Sequence, residues 1–95
     1  MTHTTREELA EEVDQARWDW LKPHHGRGVL FLVDELLDLP EVGARIAADD
    51  SAAVQAWLAS KLLAKPTAEQ VDCWDRQPDR RFSMLVVRPF VLIQG

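Results

Sequence analysis

Val29-Leu30-Phe31-Leu32-Val33 is apolar at every position, with Gly28 before it and the acidic pair Asp34-Glu35 after it. A strand with one wet face alternates apolar and polar residues, so a run without alternation must be covered on both sides. Its β-branched and aromatic residues and the flanking glycines favour a strand. Phe82–Gln94 is the other segment of this kind. It is interrupted by Pro89, which cannot donate to a ladder and so marks an edge, a bulge or a break between two short strands. These two segments are the only good sheet partners for each other. A two-stranded ribbon is marginal by itself, so the pair must pack on helices or on another chain.

The rest of the chain reads as helices. Residues 5–21 carry a stripe of Leu9, Val13, Ala16 and Trp20, with a capping box from Thr5 and Glu8 or from Thr4 and Glu7. Lys22-Pro23 ends that helix, because the residue before proline disfavours α geometry. His24-His25-Gly26-Arg27-Gly28 is then a loop. Asp38 or Leu39 caps a short helix over Glu41–Ala48, with Pro40 in its first turn. Asp49-Asp50 breaks it, and one of these caps a helix over Ser51–Leu62 whose buried stripe is Val54, Trp57, Leu58 and Leu62. Thr67 and Gln70 form a capping box for a helix to about Arg76, with Val71 and Trp74 pointing inward. The helix pair around Asp49-Asp50 has helix-turn-helix spacing, and the C-terminal strands could form the wing. The expected fold is therefore α+β, a single domain over residues 1–95 with 1–4 disordered: a small helical domain with a helix-turn-helix-like pair and a two- to three-stranded sheet, winged-helix-like.

Charge and cysteine usage narrow the function. Sixteen acidic against eleven basic residues give a net charge of -5, which repels phosphate backbones and disfavours nucleic acid as a partner. Ser51–Ser60, where a recognition helix would lie, has no charged residue, and Gln55 is its one group suited to base edges. The single cysteine, Cys73, excludes an intramolecular disulfide and suits a reducing cytoplasm. It is expected to be a partly buried, inert thiol beside Trp74. No apolar run is long enough to span a bilayer, and the polar, acidic N-terminus is no signal peptide. His3, His24, His25 and Cys73 lack zinc-site spacing, so no metal or cofactor is expected.

The polar residues leave two candidate constellations. Asp34, Glu35, Asp38 and Glu41 cluster after the first strand, where carboxylates can hold a cation or act as acid and base. This is the alternative reading, a small enzyme; no phosphate-cradling glycine loop accompanies it, since Gly26-Arg27-Gly28 precedes the strand. Caps and turns explain the same carboxylates, and no catalytic residue is assigned. Trp18 lies off the first helix's stripe and with Arg17 forms a candidate contact site; packing against the His24-His25 loop is the equal alternative. With Phe90 and Leu92 on the apolar C-terminal strand, Trp18 makes the candidate interface, for a homodimer or an unknown protein partner.

Trp20-Leu21-Lys22-Pro23-His24, Arg27-Gly28, Leu37-Asp38-Leu39 with Glu41-Val42, Ile46-Ala47 with Asp49-Asp50, Val54, Trp57-Leu58, Leu62-Leu63 with Lys65-Pro66-Thr67, and then Trp74, Pro78, Arg81-Phe82, Val87, Pro89, Val91-Leu92 and Gln94 form a pattern. It resembles the short bacterial proteins of domain-of-unknown-function family 2288, from about Trp20 to Gln94. The resemblance implies a bacterial, cytoplasmic protein and brings no activity, substrate or catalytic residue. The family usually has glycine where Lys61 stands; glycine there would end the helix in a left-handed cap, and lysine implies a different or strained end. The pattern singles out polar residues that packing would not demand. His24, Arg27, Asp38, Glu41 and Arg81 would, if they converge, form an ion-pair network or an anion site. The leading functional expectation is a small cytoplasmic binding or accessory module acting through protein–protein contact, with DNA binding through a winged-helix-like surface as another alternative.

Overall fold

A computed structural model describes residues 6–95; the expected disorder of 1–4 and the Thr4 and Thr5 caps lie outside the described residues. The elements run α1 (Arg6–Glu12), β1 (Asp14–Arg17), α2 (Trp18–Gly26), β2 (Leu30–Val33), α3 (Leu39–Ala47), α4 (Ser51–Ala59), β3 (Leu63–Ala64), α5 (Ala68–Asp75), β4 (Arg81–Val87) and β5 (Phe90–Gln94). The fold is α+β, and its strands form one mixed sheet in the order β1-β4-β5-β2-β3. β2 and β5 are parallel, with Leu30 beside Val91 and Leu32 beside Ile93; the other neighbours are antiparallel.

The doubly apolar strands are covered on both faces, as their composition requires. On one face Leu30, Val91, Ile93 and Phe82 pack with Trp18 and Leu21 of α2 and Trp74 of α5. On the other, Val33, Leu85 and Leu92 pack with Leu9 of α1 and with Leu39 and Val42 of α3, and α4 adds Val54 and Trp57. Each fully buried large side chain contributes about 1.5–3 kcal/mol, so two thin cores share the stabilisation. Gly43 is what lets α3 lie this close: a Cβ there would stand 2.6 Å from Leu85 Cδ2.

Three expectations are corrected. The sheet has five strands among the described residues, not two or three, and Phe82–Gln94 folds into its middle as a hairpin around Arg88-Pro89 rather than standing out as a wing. β5 is paired on both sides, by β4 and by β2, so this apolar strand presents no free edge. Residues 5–21 are not one helix. Two apolar periods overlap there: Leu9 and Val13 belong to one face of the sheet, Ala16, Trp18 and Leu21 to the other. A strand between them lets the chain change faces, and β1, largely polar, is held by its ladder to β4 rather than by local propensity. The helix then resumes and continues through Pro23 to Gly26.

The caps are as the sequence implies. Asp38 caps α3 by accepting from the Glu41 N–H, Asp50 caps α4 through Ala53, and Thr67 and Gln70 form the reciprocal box of α5. At the other ends α2, α3 and α4 close alike. Gly28, Asp49 and Lys61 take positive φ values of 75°, 58° and 64°. In each case that residue's own N–H and the following one donate back to the last turn, as in Lys61 to the Leu58 carbonyl and Leu62 to that of Trp57. Lysine at 61 therefore keeps the left-handed cap expected of glycine and bears its steric cost.

Candidate functional site

The polar residues singled out by sequence do not form one cluster. Arg27 Nη2 lies 2.6 Å from His24 Nδ1 at the end of α2. Asp38 and Glu41 sit beyond the far end of β2, joined to each other by the α3 cap. Asp38 is gripped by Arg6 through two hydrogen bonds of 2.7 and 3.0 Å, and Glu41 pairs with Arg45 at 2.8 Å. Arg81 starts β4, directly across the ladder from Arg17. A four-residue strand separates the first pair from the second, so the residues act as helix-end partners rather than as a joint anion site. The Arg6 hydrogen bonds hold the Asp38 carboxyl below its ordinary value against an opposing desolvation, with the N–H of Glu41 adding to the lowering.

The carboxylate constellation dissolves in the same way. Asp34 accepts from the Leu36 N–H in its own turn, while Asp38 and Glu41 are committed as above. Among the described residues, no group of three His, Cys, Asp or Glu is placed to hold a metal ion, and no helix is long and apolar enough to cross a membrane. The Cys73 thiol is exposed, correcting the expectation of partial burial. Arg80 and Arg81 lie at one end of the seven-residue β4 and Arg88 just past the other, so they make no continuous basic face. Arg80 is instead laid over the rings of Phe82 and Trp74, at 4.9 and 5.8 Å.

Of the candidate interface residues, Trp18 and Leu92 are core, 1% and 0% exposed. Trp18 meets Trp74 edge-on at 5.0 Å and lies 6.4 Å from His25. Its indole N–H donates to Asp75 at 2.8 Å, and Lys22 binds the other oxygen of the same carboxylate at 3.0 Å. Those two bonds, the Trp18 one first, depress the Asp75 pKa. Trp20, placed in the core by the helical stripe, is 61% exposed, with the Arg17 guanidinium 5.6 Å from its ring. No sequence spacing connects Trp18 to Asp75, so this tie was invisible before folding.

Phe90 lies elsewhere, half-buried in a groove between the α3–α4 hairpin and the sheet. The groove has a volume of about 340 Å³ and is walled by Phe31, Ile46, Val54, Leu58, Leu63 and Phe90. Phe31 and Phe90 meet edge-on at 5.6 Å. Leu58, expected in the buried stripe of α4, stands instead on the lip, 43% exposed. Asp49, Asp50, Ser51 and Gln55 supply the polar end. Asp50 is engaged by the Ala53 N–H at 3.2 Å and by Arg45 at 2.9 Å; these bonds, the backbone one first, lower its pKa. A second cavity, of about 520 Å³, lies between α5 and the C-terminal ends of β2 and β5, with Asp34, Glu35, Glu69, Cys73 and Arg80 on its walls. Its one cation is committed to the aromatic rings and to the Gly95 carbonyl oxygen, 3.1 Å from Nη2.

A family model described as "Protein of unknown function (DUF2288)" matches residues 4–95. The chain belongs to that family. A solved structure similar to this DUF2288 protein is the NMR solution structure of PA1075 from Pseudomonas aeruginosa, at 35% identity and a TM-score of 0.80. The match covers 99% of this chain and 86% of that one. Among curated proteins nothing matches. The groove of the DUF2288 chain could not be read from sequence, because its apolar walls come from five separate elements and each of those residues alone reads as core.

Proposed function

We propose that this chain is a binding module of the cytoplasm, not a catalyst, and that the groove between α3–α4 and the sheet is its binding surface for a partner protein. The observation that carries this reading is the groove: apolar walls from both the helices and the sheet, continuous with the exposed Leu58. Ligand sites combine such walls with a few polar groups, and at about 340 Å³ this one is at the small end of the range. It suits a pair of inserted side chains better than a large enclosed molecule. The dispersal of the carboxylates into caps and ion pairs supports binding over catalysis. The exposed, unpaired thiol of Cys73 suits a reducing compartment.

Titration of the ¹⁵N-labelled protein with indole and with cyclohexanemethanol, followed by NMR, tests the assignment. Shift changes should gather at Phe31, Ile46, Val54, Leu58 and Phe90. Changes gathered around Cys73 and Arg80, or spread evenly over the surface, would remove the groove as the binding surface.

A further inference from the structure

We infer that the groove's occupant is a basic amphipathic segment, one that presents apolar side chains beside a lysine or arginine, with the cation meeting Asp49. This rests on the groove being the binding surface and adds the chemistry of what enters it.

The polarity of the site is one-sided. No cation lines the groove, and two carboxylates do. Asp50 is already satisfied by the Ala53 N–H and Arg45. Asp49 is exposed, and its carboxylate has no side-chain partner among the described residues. Covering it with an apolar or anionic group would strip its hydration without replacement; a cation set beside it restores the interaction. The ammonium of Lys65 stands 5.9 Å from the Phe31 ring centroid but is not among the residues that line the groove, whereas Asp49 lines it from the α3–α4 turn.

The adjoining surface suits a segment of protein. α4 is uncharged over all nine residues, and none of them is fully buried. Helices exposed to water ordinarily carry charge on the outer face. Here Ala52, Ala56 and Ala59 are exposed instead, so a partner backbone can approach closely and no ion has to be desolvated. The net charge of -5 favours the approach of a basic segment from a distance.

Two synthetic helical peptides test this. They share leucines at i, i+3, i+4 and i+7 and carry lysine in one and glutamate in the other at every polar site. Affinities are read by fluorescence anisotropy at physiological salt, where bulk attraction is screened. The lysine peptide should bind at least about ten-fold more tightly. Asp49→Asn, which tolerates the left-handed backbone, should weaken it by roughly three- to ten-fold, while Asp79→Asn, the same charge change in the turn before β4, should leave it within about two-fold. Leu58→Gln should weaken both peptides.

Equal losses from Asp49→Asn and Asp79→Asn would mean bulk attraction and overturn the inference. So would a glutamate peptide that binds as well, or no saturation of either peptide by about 1 mM. Self-association in sedimentation that Leu58→Gln abolishes would make the occupant a second copy and overturn it too. Fragments that settle in the groove while the peptides ignore charge would leave the binding surface standing and remove only the basic partner; fragments that avoid the groove would remove both.

Discussion

At the scale of single residues, two tryptophans two positions apart have opposite fates. Trp18 is sealed between Trp74, Phe82 and Asp75, whereas Trp20 faces water under Arg17. Trp18→Phe keeps the ring but leaves part of the pocket empty and takes the donor from Asp75, and it should cost about 1–3 kcal/mol in urea unfolding. Trp20→Ala should fall within about 0.5 kcal/mol of the parent. The sequence pointed the other way for a physical reason. A helical stripe joins Leu9, Val13, Ala16 and Trp20 by spacing alone, and spacing cannot reveal that the chain crosses from one face of the sheet to the other at β1. Asp38, Asp50, Thr67 and Gln70 were legible because a cap acts within three residues of itself. Asp75 and the groove were not, since their partners come from distant segments.

At the scale of elements, the helix ends and the α3 contact determine how the groove is built. Lys61 holds a left-handed conformation that costs an L-residue about 1–2 kcal/mol. Lys61→Gly should raise stability by about 0.5–1 kcal/mol, measured as a shift of the urea midpoint at unchanged slope. Gly43→Ala should do the reverse although alanine is the better helix former by about 1 kcal/mol. Its Cβ would meet Leu85, with the Leu9 and Val87 methyls at 3.2 and 3.3 Å, and overpacking of this kind costs about 1–3 kcal/mol. A net loss of about 1 kcal/mol or more is expected in the same assay. β2 and the two C-terminal strands were legible as doubly apolar runs. β3 was not, because two residues carry no period.

At the scale of the whole molecule, three carboxylates couple stability to pH. Asp38, Asp50 and Asp75 are all held below the ordinary value, chiefly by Arg6, by the Ala53 N–H and by Trp18 respectively. A depressed folded pKa means that the stabilisation is complete above the unfolded value of about 4 and is lost as the pH falls through the lower folded values. Urea midpoints should therefore be level from about pH 5 to 7 and fall below about pH 4. In Asp75→Asn the acid limb should be shallower, because one of the three groups no longer titrates.

The strand order β1-β4-β5-β2-β3 also bears on how the molecule comes into being. Its central pair, β4 and β5, is the last of these strands to be synthesised. Until residues 81–94 have emerged, β1 has no ladder and β2 has only the two-residue β3 beside it. The helices made earlier have no sheet to cover. Such late, long-range closure makes for slow folding and a nascent chain with its apolar runs uncovered. A chain stopped at residue 80 should show no cooperative unfolding by circular dichroism, because β1 and β2 then lack the neighbours that the centre of the sheet supplies.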